Sequence, residues 1–245
     1  RMAALAGAAV SLASANPALA AATDCAGRDA PFSVDSPLVD VLLSDAARGV
    51  LAQVAGGAYA INHPFLSGTT APTFGAILTL RAASAMGGAS PDGLAEVDAA
   101  LRALPVTEAD QAARCARFDA DQPAIALPDA AVRVLVFSKV NGFVHVDALP
   151  VVRQTVAALG AERGWAVADS DNGGSITAET LANVDVVVWN NVSGDVLTQG
   201  QRAALRDYVE GGGGFVAVHG SGGDPAYFWD WYADSLLGAR FIGHP

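Results

Sequence analysis

The feature that most constrains this chain is a short apolar run between two groups of glycines near its C-terminal end. Residues 211–214 are four glycines, Phe215 to Val218 are apolar, and residues 219–224 read His-Gly-Ser-Gly-Gly-Asp. Such a run is typical of a strand covered on both faces of a parallel sheet. Ligands in these sheets bind beyond the carboxyl ends of the strands, so His219 is the strongest functional candidate. The alternative is that this histidine only holds its loop by hydrogen bonds.

Apolar segments alternate with helical ones from residue 132 onward. Helices are expected between the strands, and one of them begins with a capping box formed by Thr198 and Gln201. Strict alternation of strand and helix predicts an α/β fold, with a parallel sheet and helices on both faces. The predicted strands are Val132–Phe137, Trp165–Ala168, Val184–Trp189, Phe215–Val218 and Ala239–Ile242.

The first half of the chain has a different organisation. Residues 1–22 are alanine-rich and end near a small-x-small site at Ala18–Ala20, which predicts a bacterial secretory signal and therefore a periplasmic or secreted protein. An ordinary amphipathic helix is the alternative. Residues 23–121 carry helix starts and stops at short intervals and predict a small helical module. Residues 122–131 are rich in proline, alanine and aspartate and predict a linker.

The two cysteines, Cys25 and Cys115, flank the helical module. In an exported protein an even number of cysteines favours a disulfide, and we expect these two to pair. Neither has a CxxC partner, so the sequence does not indicate a thiolate zinc site.

Charge restricts the class of partner. The formal net charge is −11, and the chain has no run of basic residues. Nucleic acid is therefore excluded as an expected partner, and so is an anionic membrane once the signal has been removed. Because 52% of the residues are apolar and only 16% are charged, a packed core is expected.

Polar residues follow several of the predicted strands. Three of the four histidines, His145, His219 and His244, fall at predicted strand ends. Because right-handed crossovers bring the strand-to-helix loops to one edge of a parallel sheet, we expect these histidines to lie together. The other polar candidates in these loops are Asn190, Asn191, Ser193, Asp195, Ser221 and Asp224.

Five ordered motifs resemble the ThuA-like (trehalose-utilisation) domain. They are VFSKVNGFVH at 136–145, NNVSGDVL at 190–197, GGGFVAVH at 212–219, WDWY at 229–232 and GHP at 243–245. The resemblance covers about residues 132–245 and implies the flavodoxin-like fold of the class I glutamine amidotransferase-like superfamily. It also implies a role in sugar metabolism. The family's domain normally continues beyond its His-Pro, so we expect the domain to be incomplete at its C-terminal end.

This sequence departs from the patterns of the family and of the superfamily at two positions. The family usually has Asp directly after the histidine of the first loop, whereas here Val146 intervenes before Asp147. Amidotransferases of the superfamily have a cysteine nucleophile where this chain has His219, so cysteine-dependent acyl transfer is not expected. Ser221 does not match the G-x-S-x-G elbow of serine hydrolases either.

Two functions of different classes remain. In the first, the protein is an enzyme that acts on a sugar or a sugar derivative, with His219 and His145 in acid–base roles and Asp195 and Asp224 orienting them or holding hydroxyls. A divalent metal such as zinc, bound by His145, His219 and His244, is an alternative use of the histidines. The amide and hydroxyl groups of Asn190, Asn191, Ser193 and Ser221 would contact the substrate.

In the second, the protein is a non-catalytic module that binds a small carbohydrate or a partner. The stacking faces would come from Trp189, Trp229, Trp231 and Tyr232, although core packing explains these residues as well. Association into a homo-oligomer is compatible with both functions. Loss of sugar conversion in His219→Ala, with the fold intact, discriminates the enzyme from the module.

Overall fold

A computed structural model of the protein describes residues 22–87 and 90–243. The predicted signal segment, residues 1–22, therefore lies outside the described residues except for Ala22. Among the residues described, no helix has the length and the apolar character needed to cross a bilayer.

The first half of the described chain folds into short helices. Their starts follow from the capping residues: the Ser44 hydroxyl accepts from the backbone N–H of Ala47, and Thr107 forms a reciprocal capping box with Asp110. A 3₁₀ helix, Phe74–Ile77, also occurs in this half. The aliphatic faces pack into one core that includes Leu38, Leu80 and Leu101. The helices are α1 (Leu38–Leu43), α2 (Asp45–Gln53), α3 (Leu80–Met86), α4 (Leu94–Arg102) and α5 (Glu108–Cys115).

A disulfide joins the end of α5 to the segment that precedes α1. Cys25 and Cys115 are bonded, with their Cα atoms 5.4 Å apart, and both are buried beside Phe118. The predicted pairing is confirmed. The two residues are 90 positions apart, so in the chain-entropy model the bond stabilises the fold by about 4–5 kcal/mol.

The second half contains a four-stranded sheet in which every pair is parallel. The strands are β1 (Arg133–Phe137), β2 (Ala166–Ser170), β3 (Val186–Asn190) and β4 (Gly214–Val218), in the spatial order β2-β1-β3-β4. This is the order of the first four strands of a flavodoxin-like sheet. The predicted parallel α/β fold is confirmed.

Helices cover both faces of the sheet. On one face, α6 (Ala148–Arg163) packs its valines against Val134, Val136 and Val188. On the other face, Leu135, Phe137, Val187 and Trp189 form a core with α7, α8 and a π-helix. These three elements are α7 (Ala178–Leu181), α8 (Gln199–Glu210) and the π-helix (Trp231–Leu237). The predicted capping box of Thr198 and Gln201 begins α8.

Two expectations about the C-terminal part are wrong. Residues 239–242 are not a strand: Arg240 pairs with Asp230 and Asp234, which brings this segment back against the π-helix instead of alongside the sheet. The strand β4 is not covered on both faces either, because Val216 in its middle is 48% exposed.

Direct contacts join the helical segment to the sheet. The Asn141 side chain donates to the backbone oxygen of Arg117, and Lys139 forms a 2.7 Å ion pair with Asp119. Residues 122–131 contain neither helix nor strand. The division into a module, a linker and an α/β domain stays a prediction.

Candidate active site

Two histidines meet at the carboxyl edge of the sheet. His145 lies in the loop between β1 and α6, and His219 directly follows β4. Their ring centroids are 4.7 Å apart, and the rings meet edge to face at 82°. The parallel direction of β1, β3 and β4 brings the two loops to the same edge, so residues 74 positions apart in the chain become neighbours.

The His145 ring lies directly against the backbone of Gly220. A Cβ at position 220 would come within 2.7 Å of both Cε1 and Nδ1 of the imidazole, so only glycine fits beneath this ring. Nδ1 is buried and has no hydrogen-bond partner among the described residues. Burial lowers the pKa of His145, and the nearby His219 lowers it further. The neutral, base-competent imidazole is therefore favoured at neutral pH.

His219 lies on an unusual backbone. Its φ is +38°, in the left-handed region that residues other than glycine rarely adopt, and its side chain is exposed. Backbone of this kind persists only where the surrounding structure enforces it, and it concentrates at functional sites. An exposed imidazole on an enforced turn is available to a ligand.

Two buried asparagines connect the loops of three strands. Asn191, with φ +50°, accepts from the Gly220 N–H at 3.1 Å and donates to the Oδ1 of Asn190 at 2.9 Å. Asn190 donates in turn to the Ser138 hydroxyl at 3.0 Å and to the backbone oxygen of Leu149 at 3.1 Å. Both side chains are completely buried, so the amides hold the loops in place instead of opening onto solvent.

A second polar cluster, centred on Asp224, joins the loop after β4 to the loop after β3. One carboxylate oxygen of Asp224 accepts from the Ser193 hydroxyl at 2.5 Å, and the other accepts from the Gly194 N–H at 2.6 Å. The Ser193 hydroxyl also accepts from the Phe143 N–H at 2.9 Å. Burial raises the pKa of Asp224 to about 6. Asp224 is thus linked through Ser193 to the loop that carries His145.

Two further candidates make contacts away from the histidine pair. The Ser221 hydroxyl donates to the backbone oxygen of Trp189 at 2.7 Å and accepts from the Val192 N–H at 3.0 Å. Asp195 forms a buried ion pair with Arg202 at 2.5 Å, and burial raises the pKa of Asp195. The polar atoms of both side chains are engaged with the protein itself.

The tryptophans lie on the face of the sheet that carries the π-helix. Trp229 and Trp231 are half-buried, with their ring centroids 5.0 Å apart, and each is covered by an arginine, Arg202 and Arg206 respectively. Among the described ring contacts, neither tryptophan reaches a histidine. They belong to the apolar layer around Tyr232.

The metal hypothesis depends on a residue outside the described part of the chain. Within residues 22–87 and 90–243, no group of three His, Cys, Asp or Glu side chains could hold a metal ion. His145 and His219 are adjacent, but His244 lies outside the described residues. Asp147 is exposed at the start of α6 and makes no capping bond through its side chain.

Sequence reasoning missed the aromatic residues beside the histidines. Phe143 contacts His145, with ring centroids 5.0 Å apart, and Phe74 of the helical segment contacts Phe143. Phe143 lies two residues before His145 in a glycine-containing loop, and this position in the sequence could have indicated that the two rings are close. The approach of Phe74 depends on long-range packing that no local pattern records.

The fold and these loops define the class of the second half of the chain: a flavodoxin-like parallel α/β domain with histidines at its carboxyl edge. Residues 133–245 match the family model ThuA, described as trehalose utilisation. The resemblance indicated by the motifs is therefore confirmed for this part of the chain. The description of the family indicates a carbohydrate-related role.

A crystal structure of a ThuA-like protein from Bacteroides uniformis is among the solved structures that are similar. It is 22% identical in sequence, the match covers 50% of each chain, and the TM-score is 0.38. The chain thus spans half the length of that protein. No curated protein matches the chain.

Proposed function

We propose that the protein is an enzyme that acts on a sugar or a sugar derivative, with His145 and His219 as its acid–base pair. The observation that carries the proposal is the contact of the two imidazoles at the carboxyl edge, where Nδ1 of His145 is buried without a partner among the described residues. General acid–base catalysis needs a group that can both take up and release a proton near neutral pH. The carbohydrate class of the substrate rests on the family description.

The two histidines have different environments and therefore different roles. The lowered pKa of His145 favours its neutral form, so His145 is the base. His219 is exposed, so its imidazole would contact the substrate directly. Asn190, Asn191 and Asp224 would act by positioning the loops, since their polar atoms already bind the protein. A reaction in which an imidazole takes a proton from a sugar hydroxyl, or gives one to a sugar carbonyl, needs no nucleophilic side chain from the protein.

In a second version of the proposed enzyme, the same histidines bind a metal ion instead of acting as an acid–base pair. The unpartnered Nδ1 of His145 is a nitrogen donor of the kind that zinc accepts, and His219 and His244 would complete a three-histidine set with an open position for water. Metal analysis of the purified protein tests it: zinc in a one-to-one ratio that is lost in His145→Ala supports this form, and a metal-free active protein contradicts it.

The second candidate function is a non-catalytic carbohydrate-binding module. Exposed aromatic side chains close to the histidines favour it, because aromatic rings stack on sugars without any chemistry. Binding of a sugar without conversion, unchanged in His219→Ala, would establish the module and contradict the enzyme.

Turnover of a sugar panel by wild-type protein tests the enzyme. We expect conversion of at least one member, followed by NMR, to fall by about 10²–10⁴-fold in His219→Ala and in His145→Ala, the range for a lost acid–base group. His63→Asn is the matched control: it removes an imidazole outside the pair, while its side-chain oxygen can still accept from the Phe65 N–H. Equal turnover in all variants would overturn the proposal.

The place of action is part of the same proposal. We propose that the protein is exported and that its ligand is a small carbohydrate; the disulfide supports export, because such bonds persist in oxidising compartments. Fractionation of the native host with mass spectrometry of the mature N-terminus tests this. Recovery in the cytoplasm with an uncleaved N-terminus would contradict it.

A further inference from the structure

A cavity of about 330 Å³ lies between the helical segment and the α/β half of the chain, and we call it the interface cavity. The helical segment lines it with residues between 26 and 40 and with two arginines, and the other half contributes Asp195, Phe228 and Asp230. Neither histidine of the pair is among the described residues that line it. Pro31 and Asp230 are exposed, whereas Asp40 is buried, so the cavity runs from the surface to a buried floor.

Two buried ion pairs meet at this floor. In the helical segment, Arg117 donates to the Asp40 carboxylate at 2.6 Å, and their side chains are 7% and 3% exposed. In the α/β half, Arg202 pairs with Asp195 at 2.5 Å, and their side chains are 8% and 10% exposed. Each half of the chain thus brings a nearly dry cation and anion to the interface cavity.

A third guanidinium gives this buried cluster an excess of positive charge. Arg114 lines the cavity, is 2% exposed, and donates through Nη1 to three backbone oxygens of residues 27–30. No ion pair of the described residues includes it. Asp29 and Asp110 also attract Arg114, but neither is buried, so water screens them. The buried cluster therefore holds three cations and two carboxylates: Arg114, Arg117 and Arg202 against Asp40 and Asp195.

The acidic residues at the rim do not alter this balance. Asp35 pairs with Arg81 at 2.8 Å, and Asp230 pairs with Arg240 at 2.8 Å. Both carboxylates are thus already neutralised by an arginine of their own. One uncompensated positive charge remains among the buried side chains of the interface cavity.

Each of the three buried guanidiniums also has a donor to spare. The Nε atoms of Arg114, Arg117 and Arg202 are buried and have no hydrogen-bond partner among the described residues. Buried polar atoms are normally satisfied, and a guanidinium can only donate, so the missing partner is an acceptor. The excess charge and the unpartnered donors therefore call for the same kind of occupant, an anion.

We infer that the interface cavity binds a small organic carboxylate, held by Arg117 and Arg114. A carboxylate carries one negative charge, which matches the one left over in the cluster, and its two oxygens suit the N–H groups of guanidiniums. A phosphate group carries about −1.5 to −2 at pH 7, so it would exceed this charge and be repelled by Asp40 and Asp195. The cavity has room for about ten water-sized atoms, which limits the acid to a small molecule.

Such a ligand would contact both halves of the chain, because the helical segment and the α/β half both line the cavity. Binding to the folded state alone stabilises that state. The carboxylate would therefore hold the helical segment against the α/β half. The inference is independent of the acid–base proposal, since it involves neither histidine.

Titration with acetate as the probe tests the inference. We expect calorimetry to show one acetate bound per chain, and the melting temperature to rise with acetate more than with chloride or phosphate at equal ionic strength. In Arg117→Lys the dissociation constant of acetate should rise about tenfold, the effect of one lost charge-assisted hydrogen bond. Lysine keeps the positive charge beside Asp40 and removes the Nε–H donor.

Two controls separate the site from general effects of substitution. Arg102→Lys makes the same change at an exposed arginine of α4 that pairs with Asp98, and it should bind acetate like the wild type. His219→Ala should also bind acetate like the wild type, so the result does not depend on the histidine pair. Circular dichroism of each variant without acetate checks that the fold is retained.

A crystal structure of the wild-type protein grown in acetate needs no variant, so it decides the matter even if Arg117→Lys does not fold. We expect an acetate oxygen within about 3.2 Å of Nε of Arg117 or of Arg114. Ordered waters alone in the cavity, acetate bound elsewhere, or a wild-type protein that binds no acetate in solution would overturn the inference. Equal stabilisation by chloride or phosphate, or an Arg117→Lys that folds and binds acetate like the wild type, would overturn it as well.

Discussion

The two polar clusters at the carboxyl edge of the sheet differ in how completely their atoms are engaged. In the Asp224 cluster, both carboxylate oxygens accept hydrogen bonds from Ser193 and Gly194, and Asp224 is 7% exposed. In the histidine pair, Nδ1 of His145 lacks a partner among the described residues and His219 is exposed. Buried polar groups are normally satisfied, so a saturated cluster indicates support, whereas an unsatisfied nitrogen needs a further partner such as an ordered water or a ligand.

Residue type and position at a strand end are therefore not enough to assign a catalytic role. Asp224 and His219 both follow β4 within six residues, and the sequence makes both of them candidates for the same acid–base chemistry. The backbone decides between them. The 3₁₀ turn His219–Gly222 leaves His219 at the surface, whereas Asp224, beyond the turn, is buried against the loop of Ser193.

The largest expected stability effect follows from removal of the Asp224 carboxylate. Asp224→Ala leaves the Ser193 hydroxyl and the Gly194 N–H without their acceptor, and each such loss costs about 1–3 kcal/mol. We expect a loss of about 3 kcal/mol in the free energy of unfolding, measured by urea denaturation. His219→Ala, at an exposed side chain, should change it by less than about 0.5 kcal/mol.

Asp147→Ala is the matched control for the carboxylate. Asp147 is exposed at the same edge and caps nothing through its side chain, so its removal should be nearly neutral. If Asp224→Ala is as stable as Asp147→Ala, the Asp224 cluster is not a support, and the contrast between the two clusters is lost.

The next largest loss of stability is expected at Gly142, where the absence of a side chain lets the helical segment pack against the Asp224 cluster. Gly142→Ala would place a Cβ against Ile77 and within 2.5 Å of the Ser193 hydroxyl. Overpacking of this kind costs about 1–3 kcal/mol, so we expect a loss of about 2 kcal/mol in thermal or chemical denaturation. At Gly222 a Cβ would meet nothing within 4 Å, so Gly222→Ala is the control and should be neutral. Equal stability of the two variants would contradict the close packing.

The sequence predicted the elements of the second half well because their signals are local. Apolar runs of four to six residues marked β1 to β4, and the pair Thr198 and Gln201 marked the start of α8. The pattern could not tell that β4 lies at the edge of the described sheet, because Phe215–Val218 is equally apolar in a central strand. The predicted fifth strand failed because Arg240 pairs with Asp230 and Asp234, a tertiary interaction.

The site was only partly predictable for a related reason. Parallel topology implies that His145 and His219 share an edge, and this much follows from the order of strands and helices. Whether Asp195 lies near them or pairs with Arg202 depends on side-chain packing after the strand has ended. The position of Phe74 depends on hydrogen bonds between segments about 70 and 150 residues apart, which have no signature in either segment alone.

A smaller effect is expected in the pH dependence of stability, through the Asp224 carboxyl. Burial raises the pKa of Asp224 to about 6, above its ordinary value of 3.8, so the folded state binds this proton more tightly than the unfolded state does. The resulting stabilisation is complete below about pH 3.8 and is lost as the pH rises through about 6. Between pH 7 and pH 5 the group should therefore add about 1.4 kcal/mol to the free energy of unfolding.

Asp224→Asn isolates this contribution. The amide is neutral at both pH values, and its oxygen can still accept from Gly194, so the variant keeps part of the cluster without the titration. The free energy of unfolding is measured by denaturation at pH 5 and at pH 7. Its change between the two pH values should be about 1.4 kcal/mol smaller for Asp224→Asn than for the wild type. An identical pH dependence of the two proteins would show that the Asp224 carboxyl does not titrate in this range.

The smallest expected effect is within the histidine pair and is measured by NMR titration of the imidazole Cε1 protons. His145 should titrate below the ordinary pKa of about 6.5, first because burial disfavours its charged form and second because a protonated His219 repels it. In His219→Ala the pKa of His145 should rise, yet stay below the ordinary value, since burial is the larger cause. His63→Asn removes the resonance of a histidine outside the pair and so assists the assignment. A His145 pKa at or above 6.5 would contradict the burial of this imidazole. A His145 pKa that His219→Ala leaves unchanged would mean that the two rings do not interact in solution, and the histidine pair would then not act as a unit.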